Sequence, residues 1–324
     1  MCEVTMKASA TAHPIQGLIK YHGLRDEVLR LPYHDSISVC TAPLLTRTTV
    51  EFGSWKDRAE IDGSPAGERE MERIMTVVDP LRGMAGTDLG VRVASVNDFP
   101  SNIGLGASSS GFAALALATA GALELDLSLE EISRFARRGA GSASRAVTGG
   151  FSRWYAGEDD ETSYSRRLPS GLDDRMAMLV AVVPALKFTD TAHGEVTGSP
   201  FFKARLEYVP EVLDEMEEAV ERGDVEGVGE LAERDTLLLH GMTMTGEGRL
   251  ILWRPDTLRV ILEVKRMFEE DIHCYFSIDT GATVYINCHS RDLEEVRSRI
   301  SGLGIEVIPC RVGGEAKIVD DHLF

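Results

Sequence analysis

A loop rich in glycine and serine is the segment of this sequence best suited to chemistry. It reads Gly-Leu-Gly-Ala-Ser-Ser-Ser-Gly over residues 104–111, between a predicted strand at 89–96 and an apolar helix that extends to about residue 125. Glycines let a backbone approach a phosphate closely, and the free N–H groups at a helix start attract an anion. The loop lacks both GxxxxGK[ST] and the glycine spacing of GxGxxG, so an N-capped structural helix explains it equally well.

The elements around this loop predict a mixed α/β or α+β fold. Further strands are predicted at 36–41, 48–52, 178–183, 274–278, 283–287 and 306–310, and further helices at 68–81, 129–138, 211–222, 258–269 and 293–300. The acidic helical stretch at 210–234 is interpreted as a solvated face. The last predicted strand pair brackets Asp279-Thr280-Gly281, which would hold this aspartate at the end of a strand.

The length of 324 residues allows one large domain or two closely joined domains. We place one boundary near Pro184, which divides the chain into an N-terminal domain at 1–184, which contains the Gly/Ser loop, and a C-terminal domain at 185–324. No flexible Gly/Ser linker marks this point, so the two halves are expected to form one continuous body.

The charge balance argues against two classes of partner. The chain contains 34 Lys and Arg against 52 Asp and Glu, a formal net charge of −18. A surface that binds nucleic-acid phosphates needs clustered Lys and Arg, so neither nucleic acid nor a membrane is expected as a partner. A small anionic substrate would then need a local basic pocket inside an acidic surface.

No segment is expected to cross a membrane or to direct secretion. The longest apolar run, near 112–125, is too short for a span, and the N-terminus lacks a basic region followed by a long apolar core. The cytoplasm is therefore the expected location. The cysteines are scattered and form no CxxC pair, which argues against a disulfide framework and a structural zinc site; they are Cys2, Cys40, Cys274, Cys288 and Cys310.

Five segments resemble one branch of the GHMP kinase superfamily. The loop and its flanks fit the superfamily's PxxxGLGxSSxGFAAL motif, in the form found in mevalonate-diphosphate decarboxylases. The other four segments are KYHGLRD at 20–26 with LP and SISV behind it, GAGSASR at 139–145 with GGF at 149–151, His240 ahead of WRPDT at 253–257, and DTG at 279–281. They run in family order over most of the chain, so the resemblance strongly favours a phosphate loop over a structural helix.

The resemblance implies a homodimer and a two-domain GHMP-type sandwich with the active site in the cleft between the halves. The domain at 1–184 would be the ATP-binding domain, and the domain at 185–324 the C-terminal GHMP-type domain. The resemblance also implies a reaction in which Mg·ATP phosphorylates the C3 hydroxyl of a mevalonate derivative. Phosphate then leaves from C3 while the C1 carboxylate departs as CO₂. Because hydroxide is a poor leaving group and phosphate a good one, ATP activates the alcohol.

The same resemblance assigns roles to three catalytic residues. Asp279 matches the aspartate that orients or deprotonates the hydroxyl, a role that contributes roughly 10²–10⁴-fold. Lys20 matches the lysine that stabilises developing charge near that hydroxyl. Arg145 matches the arginine that holds the substrate carboxylate, since a planar guanidinium suits two oxygens.

Further residues are expected to bind ligands. Ser108 is the hydroxyl expected nearest Mg²⁺ and the ATP phosphates. The expected substrate ligands are Tyr21, His22, Arg69, Ser142, Ser144 and Arg145, and the expected ATP ligands are Gly104, Gly106, Ala107, Ser108, Ser109, Ser110 and Gly111.

Several departures from the family pattern point to a shorter anion. The second lysine of the family's KYWGK is Leu24 here, its tryptophan is His22, and the first serine of its GSGS is Ala140. Losing one cation and one hydroxyl weakens a diphosphate more than a monophosphate. The pattern resembles archaeal-type phosphomevalonate decarboxylases, which implies mevalonate 5-phosphate as substrate and isopentenyl phosphate as product.

Three alternatives remain open from the sequence. The first is a mevalonate 5-diphosphate decarboxylase, with the same chemistry on a longer anion. The second is a kinase that phosphorylates C3 without decarboxylation, although the retention of Asp279 and Lys20 argues against it. The third is a non-catalytic binding module on the same fold.

Overall fold

The computed structural model describes residues 6–100, 104–185 and 189–324, with the backbone alone at 189–191. The strands are β1 Met6–Ala12, β2 Ile15–Ile19, β3 Leu24–Asp26, β4 Leu31–Pro32, β5 Ser36–Ala42, β6 Thr46–Gly53, β7 Arg58–Ile61, β8 Ser64–Pro65, β9 Gly90–Asn97, β10 Phe151–Trp154, β11 Ser165–Arg167, β12 Met176–Ala181, β13 Cys274–Ser277, β14 Val284–His289, β15 Val307–Val312 and β16 Lys317–Val319. The helices are α1 Glu68–Met84, α2 Ala107–Ala122, α3 Leu129–Gly139, α4 Ala143–Thr148, α5 Thr189–Thr197, α6 Phe202–Arg222, α7 Val225–Thr245, α8 Pro255–Glu269 and α9 Leu293–Ser301, with one 3-10 turn at Ser290–Asp292.

The first sheet has six strands in the order β16-β1-β6-β9-β7-β8. Strand β9 of this sheet alternates over its first positions, since Val91 and Val93 are buried and Arg92 between them is not. Helix α2 packs on β1 and β6. Because α2 is apolar on every side, it lies buried between the sheet and helices α1, α3 and α4. This burial fixes the direction in which its N-terminus points.

The second sheet has the order β11-β10-β5-β15-β12-β14-β13, with β2 paired to β5. Its interior strand β12 is buried at all six positions. Successive side chains point to opposite faces of a strand. Met176, Met178 and Val180 therefore enter the core beneath α6 and α7, whereas Ala177 and Leu179 enter the core beneath α8 and α9. Strand β12 is therefore a continuous apolar run, with helices packed on both faces of the sheet.

The predicted α/β class is confirmed, and the strand pair around Asp279 forms as antiparallel β13 and β14. The boundary near Pro184 stays a prediction. The second sheet contains β12 before this point and β14 after it, paired in register. Strand β16, near the end of the chain, pairs with β1 of the first sheet.

The Gly/Ser loop at 104–111 is shorter than the sequence suggests, because α2 already begins at Ala107. Residues 101–103, which precede that loop, lie outside the described residues. Cys40, Cys274, Cys288 and Cys310 are free and buried, while Cys2 lies outside the described residues. No helix in the described ranges has the length and apolarity needed to cross a bilayer.

Candidate active site

A cleft of about 580 Å³ opens between the phosphate loop and the second sheet. Five cationic side chains line it, against the two carboxylates of Glu70 and Asp279. The cations are Lys20, Arg30, Arg69, Arg73 and Arg145. A basic pocket thus lies inside a protein of net charge −18, as a small anionic substrate requires.

The phosphate loop takes its shape from two glycines in the left-handed region. Gly104 has φ +88° and Gly106, the residue that caps α2, has φ +73°. Ser109 fixes the turn, since its hydroxyl donates to the Gly106 carbonyl at 2.6 Å and accepts from the Ile15 N–H at 3.2 Å. The first N–H groups of an α-helix have no partner within the helix, and those of α2 start beside the cleft.

Asp279 lies two residues after the end of β13, where the chain turns towards β14. Its two carboxylate oxygens lie 3.2 and 3.3 Å from the N–H of Gly17, which donates to them. A Cβ atom on residue 17 would lie 2.8 Å from Oδ1 of Asp279. Glycine at this position therefore allows the carboxylate to approach the backbone of β2.

Lys20 follows β2, and its side chain is buried. Its ammonium donates to the hydroxyls of Thr236 at 3.0 Å and Ser277 at 2.9 Å. Burial lowers the pKa of this ammonium, while the nearby carboxylates of Asp235 and Asp279 act in the opposite direction. The charge therefore depends on the surrounding carboxylates and hydroxyls.

A buried ion pair holds the backbone of Lys20. The N–H of Lys20 donates to Oδ2 of Asp235 at 2.9 Å, and Nη2 of Arg205 donates to the Lys20 carbonyl at 2.8 Å. Arg205 and Asp235 also pair with each other, with side chains 3% and 0% exposed. Sequence reasoning missed both residues, because they flank the stretch at 210–234 that was interpreted as a solvated face.

Arg145 lies on α4 and is 2% exposed. Its Nη1 donates to the hydroxyl of Ser36 at 2.8 Å, and its guanidinium lies 5.3 Å from the ring centre of Tyr21 and 5.6 Å from that of Trp154. Burial lowers the pKa of Arg145 to about 10, and electrostatic interactions with Tyr21 and Asp279 oppose this shift. The guanidinium stays cationic at neutral pH and can hold a carboxylate.

Comparisons with known proteins agree with this geometry. Residues 12–165 match the family model "Diphosphomevalonate decarboxylase-like N-terminal domain". The phosphomevalonate decarboxylase of Haloferax volcanii is 47% identical over 98% of each chain. The chain belongs to the diphosphomevalonate decarboxylase-like family. The human diphosphomevalonate decarboxylase is 32% identical over 83% of this chain and 73% of its own. A solved complex of MDDEF with MVAPP, AMPPCP and magnesium matches with a TM-score of 0.92 at 29% identity, covering 98% of this chain and 100% of the other.

Most ligand residues expected from the decarboxylase family line the cleft. They are Lys20, Tyr21, His22, Arg69, Gly104, Gly106, Ala107, Ser108, Ser109, Ser142, Arg145 and Asp279. The hydroxyls of Ser108 and Ser142 have no hydrogen-bond partner in the described part of the chain. They are therefore available to a ligand.

Three expected residues do not line this decarboxylase cleft. The hydroxyl of Ser110 is buried and lies 2.6 Å from that of Thr46. The hydroxyl of Ser144 is buried and donates to the Gly141 carbonyl at 2.8 Å. Gly111 lies one residue further into α2 than Ser110. The hydroxyls of Ser110 and Ser144 therefore stabilise the helix starts, and the ligand role expected of these three residues stays a prediction.

The end of the cleft beyond Tyr21 contains residues that the decarboxylase pattern did not indicate. His193 on α5 lies 5.1 Å, centre to centre, from the rings of both Tyr21 and His22. His22 is 6% exposed and neither ring nitrogen has a partner among the described residues. Burial, and then His193, hold the pKa of His22 well below its usual value, so this ring is neutral.

Arg73 was also missed in the sequence. It lies four residues after Arg69 on α1, so the two start from the same helix face. This four-residue spacing from Arg69 was the sequence pattern that could have identified Arg73 as a candidate site residue. Its guanidinium donates to the Gly139 carbonyl at 2.7 Å and lies 4.9 Å from the ring centre of Phe112.

Proposed function

We propose that this protein catalyses the ATP-dependent decarboxylation of mevalonate 5-phosphate to isopentenyl phosphate, releasing ADP, phosphate and CO₂. The observation that carries the proposal is the convergence of Asp279, Lys20 and Arg145 on one cleft beside the phosphate loop. The 47% sequence identity with the Haloferax volcanii phosphomevalonate decarboxylase supports the proposal.

The reacting carbon lies, in this proposal, between the three side chains. Asp279 orients the C3 hydroxyl and takes its proton as the oxygen attacks the γ-phosphorus of ATP. Lys20 stabilises the charge on the transferring group, and Arg145 holds the C1 carboxylate. When the C1–C2 bond breaks, CO₂ leaves and its electron pair forms the C2–C3 double bond. The C3–O bond breaks at the same time or beforehand, and phosphate carries away its electrons.

The residues at the start of α2 fit Mg·ATP. The helix start offers N–H groups and a partial positive charge to phosphate oxygens. The Ser108 hydroxyl lines the cleft, has no described partner, and is a hard oxygen ligand of the kind Mg²⁺ accepts. Bound there with the nucleotide, Mg²⁺ would neutralise charge on the phosphate oxygens. The relative MDDEF, solved with AMPPCP and magnesium, supports this assignment.

A monophosphate suits this cleft better than a diphosphate. Leu24 is absent from the described cleft lining, and Ala140 contributes no hydroxyl. His22 is buried and neutral, so it adds no positive charge. A second phosphate group would bring added negative charge without the lysine and the serine that the family pattern provides.

Side-by-side product analysis tests the proposal. The protein is incubated with Mg·ATP and either mevalonate 5-phosphate or its diphosphate, and CO₂, ADP and the prenyl product are quantified. We expect equimolar CO₂, ADP and isopentenyl phosphate, with a higher kcat/KM for the monophosphate. Preference for the diphosphate would establish the alternative substrate, and ADP release without CO₂ would establish a C3 kinase.

The remaining expectations stay predictions. A homodimer and a cytoplasmic location rest on the family resemblance and on the composition, and sedimentation and cell fractionation would test them.

A further inference from the structure

Arg30 lines the cleft, although no sequence motif singled it out. It lies in the turn between β3 and β4 with φ +51°, in the left-handed region. Only a few per cent of residues other than glycine adopt this region, chiefly Asn, Asp and His. Such a conformation persists where the surrounding structure holds it, and it clusters at functional sites.

Three contacts hold the turn that carries Arg30. The buried guanidinium of Arg137 donates to the carbonyl of Leu29 and pairs with Asp160 at 2.5 Å. The N–H of Leu29 donates to Oδ1 of Asp26 at 2.8 Å. At the base of the hairpin, Nε of Arg25 donates to the Pro32 carbonyl at 3.1 Å. The backbone of Arg30 is thus fixed before any ligand arrives.

The same contacts locate Arg30 within the cleft. Arg137, which holds the neighbouring Leu29, precedes Gly139 by two residues, and Arg73 donates to the Gly139 carbonyl. Ser142 follows three residues later and lines the cleft. Arg30, Arg73 and Ser142 therefore lie around the C-terminal end of α3, next to Ala140, where the family pattern has a serine for the substrate phosphates.

No hydrogen bond or ion pair within the described residues engages the guanidinium of Arg30. Its five N–H donors are therefore open to a ligand. A planar guanidinium binds a phosphate dianion through two parallel hydrogen bonds. On the same hairpin, Leu24 occupies the position where the family pattern has a lysine.

We propose that Arg30, in the β3–β4 turn, binds the 5-phosphate of the substrate. This assignment rests on the proposed function, because it takes the substrate to be a phosphorylated mevalonate.

Steady-state kinetics of Arg30→Asn tests the assignment. Asparagine tolerates the left-handed region, so the variant removes the charge without adding backbone strain. We expect KM for mevalonate 5-phosphate to rise about 10- to 100-fold, the usual effect of losing a charge-assisted hydrogen bond. KM for ATP should stay within about twofold, and kcat should fall much less than kcat/KM, as for a group that contributes uniform binding. Arg30→Lys should recover part of the affinity, because it restores the charge but not the planar geometry.

Arg249→Asn is the matched control. Arg249 also has φ +51° and is exposed, and it does not line the cleft. Its substitution should leave both KM values unchanged. Thermal unfolding of all three variants separates a binding defect from a folding defect.

Two results would overturn the assignment: an unchanged substrate KM in Arg30→Asn, or a rise in KM for ATP in place of the substrate. The variants are measured on whichever phosphorylated mevalonate the wild-type protein decarboxylates. Failure of the proposed function would show in the wild type itself, as no turnover of mevalonate 5-phosphate. Failure of the Arg30 assignment would show only in the variants.

Discussion

The carboxylate of Asp235 accepts a hydrogen bond from the backbone N–H of Lys20 at 2.9 Å while it pairs with the buried guanidinium of Arg205. Arg205 in turn donates to the Lys20 carbonyl. One ion pair therefore binds both polar groups of the Lys20 backbone. Because the Lys20 ammonium is also anchored by two hydroxyls, this lysine has little freedom to move.

Replacing Asp235 by alanine should destabilise the protein and impair catalysis together. The change leaves the Arg205 cation buried and unpaired, which typically costs about 3–5 kcal/mol. Urea unfolding monitored by circular dichroism measures the loss, and kcat with saturating substrates measures the displacement of Lys20. The control is Arg222→Gln, which breaks the exposed pair with Glu218 and should cost no more than about 1 kcal/mol. Equal losses of stability and of kcat in the two variants would contradict the role of the Arg205–Asp235 pair in holding Lys20.

Asp279→Ala should abolish product formation and leave the affinity for ATP largely unchanged. A positioned base of this kind is worth roughly 10²–10⁴-fold in rate, whereas the nucleotide contacts lie at the start of α2. Single-turnover assays of CO₂ and ADP measure product formation, and calorimetric titration with Mg·ATP measures the nucleotide affinity. Asp256→Ala, on the exposed first turn of α8, is the control. Near-normal turnover in Asp279→Ala would refute the assignment of Asp279.

Gly17→Ala should slow the reaction although residue 17 carries no reactive group. The new Cβ would lie 2.8 Å from Oδ1 of Asp279, so the carboxylate must shift. A misplacement of about 1 Å in a reacting geometry can cost on the order of 10²-fold in rate. The measured quantity is kcat, with the melting temperature as a check on folding. The control is Gly83→Ala, where a Cβ meets nothing within 4 Å and kcat should stay unchanged. An unchanged kcat in Gly17→Ala would contradict the prediction.

Acid should destabilise the protein partly through His240. Burial lowers the pKa of this imidazole from 6.5 to about 4, and its Nε2 lies 3.3 Å from the Ile278 carbonyl, next to Asp279. The unfolded chain binds the proton first, so stability is complete above pH 6.5 and falls as the pH drops from 6.5 towards 4. The slope is at most about 1.4 kcal/mol per pH unit for one such group. In His240→Gln, the free energy of unfolding should fall less steeply across this window, and an unchanged slope would contradict the assignment.

The sequence predicted elements with a clear pattern. Strand β12 was expected because a short, continuous apolar run that ends at a proline is typical of a strand buried on both faces. Strands β3 and β4 were missed, because three and two residues are too short to show a period. The hairpin that carries Arg30 could therefore not be predicted from the sequence.

Candidate site residues were predictable where a motif carried them. Asp279, Lys20 and Arg145 are far apart in the chain, and only ordered family motifs could associate them. Arg205 and Asp235 belong to no such motif and flank a strongly acidic stretch. Their burial follows from how α6 and α7 pack on β2, which periodicity alone does not reveal.

The hydroxyl of Ser277 donates to the Gly17 carbonyl across 260 positions of sequence. Gly17 in turn holds Asp279, so the reacting centre joins the first strands of the chain to some of the last. During synthesis, the segment that contains Ser277 and Asp279 must leave the ribosome before this centre can assemble. Contacts of such wide sequence separation form late and slowly, so catalytic competence should appear as one of the final events in the maturation of each newly made molecule.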